Sequence, residues 1–253
     1  MLLVIFALTL LNNKTSSAFE LTIGRGNENY FPFEMTERGK LEGIHIASIE
    51  HVAKRLEWNI SFKSLPWNAA VLELKTGKLD ALSYLNRSPE REAFAYFLDE
   101  NALSVVEYVL FTKHGSQLGL KFSGKIEELT SFEILQIRGY YYGEEFENAA
   151  NLKKADAISL AQQAFLIARG RYNLGIANKI DLLFSIRSTD IEKEIDILSP
   201  PLAVKPTFIG FSKVRKLEQA ARQFSVEFKK FKGTKEYSAI WAKYDLEPPV
   251  FPN

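Results

Sequence analysis

Leu79-Asp80-Ala81-Leu82-Ser83-Tyr84-Leu85-Asn86-Arg87-Ser88-Pro89-Glu90-Arg91 is the stretch on which the fold turns. Leu79 to Leu85 reads as a strand. Ser88 is a preferred N-cap, Pro89 is favoured at the first helical position, and Glu90 suits the first turn. A helix is therefore predicted to start directly after the strand. Toward the N-terminus, Ala69 to Lys75 reads as a short helix stopped by Gly77. Asn59 to Lys63 reads as a strand, and Ile46, Ile49, Val52, Ala53 and Leu56 recur at helical spacing. Glu20 to Gly24 is a first short strand. Strand–helix–strand–helix–strand is the pattern of a sheet with helices on its faces.

Toward the C-terminus the pattern restarts. Val105 to Thr112 and Glu133 to Ile137 read as strands, and a helix from about Ser159 to Ala168 ends at Gly170. Tyr172 to Ala177 and Thr207 to Phe211 are further strands. Two amphipathic helices separated by Gly233 close the chain. Two α/β units predict two lobes: residues 19–111 with 206–253, and residues 112–205. The crossovers are expected near Phe111 and Pro206, with His114 to Gly124 as a link.

The composition, 46% hydrophobic and 25% charged, is that of a globular protein able to bury a core. Lys plus Arg is 32 against 31 Asp plus Glu, so charge gives no reason to expect a nucleic acid or an anionic membrane as partner. Leu2 to Leu11 is an apolar run too short for a bilayer span, which needs about 20 residues. With Ser16 and Ala18 as small residues at a cleavage site, residues 1–18 read as a secretory signal, and the mature chain is expected to start at Phe19. The other reading of this run is a buried N-terminal strand or helix. The chain has no cysteine, which excludes disulfides, thiol catalysis and a cysteine-linked lipid. The expected product is soluble in a Gram-negative periplasm.

Arg91 is the first candidate site residue. In the first turn of a helix it opposes the macrodipole, and a bound anion would satisfy both the guanidinium and the free N–H groups. The alternative is a surface pair with Glu92 or Asp99. Tyr30 lies in the loop after the first strand, and Trp67 is expected in the loop before the short helix. Ligands of open α/β sheets collect at such strand ends. Tyr140-Tyr141-Tyr142, between Gly139 and Gly143, is too polar for a core and too aromatic for an ordinary loop, and either lines a cleft or packs at a lobe surface. Catalytic patterns are weak. His45 and His51 are six apart, which does not bring two ligands to one helical face. His114 stands alone, and no phosphate loop or nucleophile elbow is present.

Several segments, each weak alone, form a pattern by order and spacing. They are Leu21-Thr22-Ile23-Gly24, Tyr30-Phe31-Pro32-Phe33-Glu34, Gly39 to Gly43, Pro66-Trp67, Leu74 to Asp80, and Ser88 to Arg91 with Tyr96-Phe97. Gly233 to Tyr237 and Ile240 to Tyr244 complete it. Over nearly all the chain after Ala18 this resembles the bacterial extracellular solute-binding proteins of family 3, the polar amino acid binders of ABC importers. The resemblance implies an α/β, two-lobed periplasmic-binding fold of type II with two crossover strands at the hinge. It puts a carboxylate-binding arginine on Arg91, aromatic walls on Tyr30 and Trp67, and a polar group near the arginine on Asn86 or Ser88. A second-lobe loop offering backbone N–H groups falls on Gly139, Tyr140 and Tyr141.

The acid that would hold an ammonium falls near Asn178, and there the chain departs from the family. Asn27 likewise stands where amino acid binders often carry Asp. A neutral amide accepts from an ammonium without charge-assisted strength. The departure predicts a ligand other than a simple acidic or neutral α-amino acid, unless Asp181 takes the role. The resemblance implies a monomer without cofactor that closes on a small polar ligand and is read by an inner-membrane ABC permease. Two rivals stand beside it: a dehydratase-like enzyme, with Glu34 and Glu28 as the nearest acid–base candidates, and a sensory domain unconnected to transport.

Overall fold

Leu21 and Ile23 alternate along β1 (Phe19–Gly26) and are both buried, so the strand sits inside a covered sheet. The computed structural model describes residues 19–187 and 189–251. The expected signal segment, residues 1–18, lies outside the described residues. After β1 come a small hairpin, β2 (Met35–Glu37) and β3 (Lys40–Glu42), then α1 (Ile44–Arg55), β4 (Trp58–Leu65), α2 (Trp67–Lys75), β5 (Ala81–Asn86), α3 (Pro89–Glu92) and β6 (Ala95–Tyr96). The long β7 (Ala102–Lys113) leads to β8 (Glu133–Ile137), α4 (Glu144–Asn148), β9 (Lys153–Ala157), α5 (Leu160–Ala168), β10 (Leu174–Asn178) and α6 (Lys179–Ile186). β11 (Ile195–Ile197), the long β12 (Ala203–Ser212), α7 (Glu218–Lys232) and α8 (Lys235–Ala242) follow.

The strands form one path, β4-β1-β5-β12-β7-β10-β8-β9. β4, β1 and β5 run parallel at one end, and β10, β8 and β9 run parallel at the other. Between them β12 and β7 pair antiparallel. Each serves both ends: β12 pairs with β5 through Thr207 to Phe211, and β7 pairs with β10 through Tyr108 to Phe111. All six residues of β5 are buried, as expected of a parallel strand covered on both faces.

The covering helices follow from apolar spacing. Phe224, Phe228 and Phe231 recur at helical intervals on α7 and pack with Tyr237 and Trp241 of α8. Each such ring contributes about 1.5–3 kcal/mol by leaving water. No helix among the described residues is long and apolar enough to cross a membrane.

Two local expectations need correction. Trp67 is the first residue of α2, with Pro66 as the cap residue, and is not in the preceding loop. Proline cannot donate an N–H, so the helix starts directly behind it. Tyr142 is 1% exposed and sits in the core, although the tyrosine run reads as too polar for one. Its hydroxyl accepts the Ile137 N–H at 2.9 Å, which removes the cost of burying it.

Candidate functional site

The carboxyl ends of parallel strands from both ends of the sheet face one another. Tyr30 follows β1, Asn86 ends β5, Gly139 to Tyr141 follow β8, and Asn178 ends β10. The residues singled out from the sequence therefore converge. Tyr30, Trp67, Asn86, Arg91, Tyr140, Tyr141 and Asn178 all line one inner cavity of about 30 Å³. Asp181, the alternative to Asn178, lines it as well, and the structure adds Tyr84, Tyr108 and Thr207.

Arg91 is 7% exposed and belongs to no ion pair among the described residues. Its Nη1 donates to the Asn86 carbonyl at 3.1 Å, and its Nη2 reaches toward the Gly139 carbonyl at 3.5 Å. The rings of Trp67 and Tyr141 lie 5.9 and 5.7 Å from the guanidinium. The surface pairing with Glu92 and Asp99 exists, but Arg87 makes it, at 2.6 and 2.9 Å, which leaves Arg91 turned inward. Burial lowers the Arg91 pKa, because a cation without a carboxylate partner is disfavoured there.

The expected helix-end contribution shrinks, however. α3 is a single turn of four residues, and Ser88 Oγ already accepts the Arg91 N–H at 3.3 Å. Ser88 is buried and is a cap outside the inner lining. The guanidinium itself is the positive feature of this wall.

The opposite wall carries a buried acid. Tyr84 hydroxyl donates to Asp181 Oδ2 at 3.1 Å, and Asn178 Nδ2 donates to the same hydroxyl at 2.6 Å. Asn178 Oδ1 accepts the Ile180 N–H at 3.1 Å and so caps α6. The Asn178 amide is thus engaged on both sides, while Asp181 is the ionisable group of this wall. Desolvation pushes the Asp181 carboxyl up to about 8, with nearby Glu34 adding to the rise. Asn27 is exposed and lies outside the lining.

The two walls touch. The hydroxyls of Tyr30 and Tyr140 are hydrogen-bonded at 2.7 Å, and Phe31 stacks on Phe184 with ring centroids 3.6 Å apart. Gly139, at φ +82°, lies so close to Asn68 that a Cβ there would meet Asn68 Oδ1 at 2.0 Å. A cavity of about 30 Å³ holds one or two waters and no amino acid, so any ligand enters through an opened cleft. Beyond the Tyr30–Tyr140 bond lies an outer cavity of about 450 Å³. Glu28, Glu37 and Asp181 line it together with Phe31, Tyr140 and Phe184, and none of its lining residues is basic. Burial raises the Glu28 carboxyl.

Glu34 is fully buried behind the cleft with Arg25 and His45, and none of the three lines either cavity. The sequence carried a sign of Tyr84, a phenol flanked by the leucines of a largely apolar strand. Its φ of +57° turns the strand where β12 slips register against β5. Thr207 and Tyr108 gave no such sign.

A clamp with facing strand ends, a guanidinium on one wall and a buried acid on the other defines a class: ligand-binding proteins of the type II periplasmic-binding fold. Among solved structures the chain is similar to a histidine kinase sensor domain resembling periplasmic binding proteins. That match has a TM-score of 0.78 at 18% identity, covering 92% of this chain and 99% of the other. It is also similar to a mutant of ArgBP from T. maritima, with a TM-score of 0.74 at 16% identity, covering 89% and 95%. The sequence model for bacterial extracellular solute-binding proteins, family 3, matches residues 21–247, and the chain belongs to that family. A probable amino-acid-binding protein, YxeM of Bacillus subtilis (strain 168), is 23% identical over 197 residues, 76% of this chain and 71% of that protein.

Proposed function

We propose that this protein is an exported, periplasmic binding protein that delivers a small cationic amino acid, or a close relative of one, to an ABC permease. The observation that carries this reading is the pairing of two buried ionisable groups across one cleft, the Arg91 guanidinium on one wall and the Asp181 carboxyl on the other, whose raised pKa makes it ready to ionise against a bound cation. Arg91 grips the ligand carboxylate with two parallel hydrogen bonds. Trp67 beside it carries a buried indole N–H with no hydrogen-bond partner, a second donor at the anionic end. Asp181 takes the ammonium. The outer cavity, acidic and aromatic with no basic lining residue, suits a second cation at the ligand's far end.

The departure at Asn178 supports the same ligand, since an ordinary neutral amino acid gives the outer carboxylates nothing to hold. The arginine-binding neighbour and the amino-acid-binding relative support the substrate class by likeness. The sensor-domain neighbour favours a second reading, in which the same capture is reported to a signalling partner. Binding rather than catalysis fits the described residues lining the two cavities, which include no histidine.

A thermal-shift screen of the twenty amino acids, polyamines and small organic acids tests the proposal. Arginine, ornithine or lysine should raise the melting temperature most, with about 2.7 kcal/mol of stabilisation at 100 times the dissociation constant. Strongest stabilisation by an acidic compound would refute the cationic ligand.

A further inference from the structure

Behind the cleft runs a chain of buried polar groups that ends on the cavity floor. Glu34 and His45 are each 0% exposed, Ser104 is 0% and Thr207 is 1%. Arg25 Nε lies 3.6 Å from Glu34 Oε2, and the two form a buried ion pair. His45 Nδ1 is 3.2 Å from Glu34 Oε1, and His45 Nε2 is 2.9 Å from Ser104 Oγ. Ser104 Oγ is 2.7 Å from Thr207 Oγ1, across the paired strands β7 and β12. Thr207 lines the inner cavity with Arg91 and Asp181.

His45, Ser104 and Thr207 each have one proton to give and the Glu34 carboxylate has none, and this fixes the direction of the chain. A carboxylate only accepts, so His45 Nδ1 carries the proton between them. Burial keeps the imidazole neutral by lowering its pKa, and the groups that face it are Glu34, Ser104, and the rings of Phe33 and Tyr84. Neutral Nε2 is then an acceptor and takes the Ser104 hydroxyl proton. Ser104 has none left and accepts from Thr207. The Thr207 proton points inward, and only its lone pairs remain for the cavity. An imidazolium would keep its Nδ1–H on Glu34 but reverse the links to Ser104 and Thr207, and make Thr207 a donor.

We propose that Thr207 is a specificity-determining residue that meets the ligand only as a hydrogen-bond acceptor, with His45 as the positioning residue that sets this polarity through Ser104. The cleft then selects an N–H donor at this point and disfavours a carbonyl or carboxylate oxygen. The inference rests on the reading of the cleft as the binding site, and it adds a contact on the hinge-side floor to the two walls of Arg91 and Asp181.

Two measurements test it. The imidazole ¹⁵N spectrum of the ligand-free protein at neutral pH should show His45 neutral and protonated on Nδ1. A proton on Nε2, or on both nitrogens, overturns the proposal whatever binds. Calorimetric titration with L-arginine should then find Thr207→Ser within about threefold of the unaltered protein and Thr207→Val weaker by about tenfold or more, the scale of one lost hydrogen bond in a closed site. Equal affinity of Thr207→Val, with an unchanged melting curve, overturns it. If the unaltered protein itself does not bind arginine, the proposed ligand is wrong, and the spectrum alone decides the Thr207 polarity.

Discussion

Replacing Arg91 with lysine removes the planar two-bond grip while keeping the charge. Loss of a charge-assisted pair in a closed cleft costs about 2–5 kcal/mol, so Arg91→Lys and Arg91→Ala are each expected to bind at least about thirtyfold more weakly. Their melting curves should stay close to the parent, because the guanidinium rests on two carbonyls and supports no ion pair. Unchanged affinity in both variants would remove the anchor. Asp181 gives a prediction with a sign in pH. Its carboxyl sits at about 8 in the fold, against about 4 in an unfolded chain. Between those values the fold holds a proton that the unfolded chain has lost, so stability falls as pH rises toward 8. Urea midpoints at pH 5 and pH 8 should show Asp181→Asn gaining on the parent at the higher pH while losing arginine affinity. An equal pH response of the two proteins would contradict the buried acid. Arg91 was legible in the sequence because Ser88-Pro89 marks a turn start and a cation there needs a reason. Asp181 was legible only as a near neighbour of Asn178, since the amide's engagement in a cap and with Tyr84 appears only in three dimensions.

At the scale of elements, the loop after β8 meets α2 across the cleft through Gly139. Alanine there must hold a left-handed φ, at a cost of about 1–2 kcal/mol, and its Cβ would collide with the Asn68 side chain. Gly139→Ala is therefore expected to weaken ligand binding by hindering closure, and adding Asn68→Ala should restore part of the affinity. No recovery in the double variant would show that strain alone, and not the contact, is responsible. The elements themselves divide by how they announce themselves. β1, β5, β7 and β12 lie on apolar stretches and were legible, though β12 starts at Ala203, well before Thr207; its first residues include exposed Val204 and Lys205, so no buried alternation marks them. β9 is a polar edge strand, Lys153–Ala157, with one buried residue, so no alternation marks it. α6 has eight residues, and its cap is an asparagine that a reading aimed at ligands assigns to the site.

Across the whole molecule, the long strands β7 and β12 join the two ends of the sheet, and the walls of the cleft meet through Tyr30–Tyr140, Phe31–Phe184 and Asp181–Tyr84. A clamp of this kind binds by hinge closure. The inner cavity is too small for an amino acid, so an open form is expected in solution that the ligand converts to a closed one. Small-angle X-ray scattering with and without saturating L-arginine tests this most directly, on the unaltered protein and on Arg91→Ala. The radius of gyration should fall on adding arginine to the unaltered protein and stay at its ligand-free value in Arg91→Ala. An unchanged radius in the unaltered protein, or the same fall in both, would contradict a cleft that closes on a ligand held by Arg91.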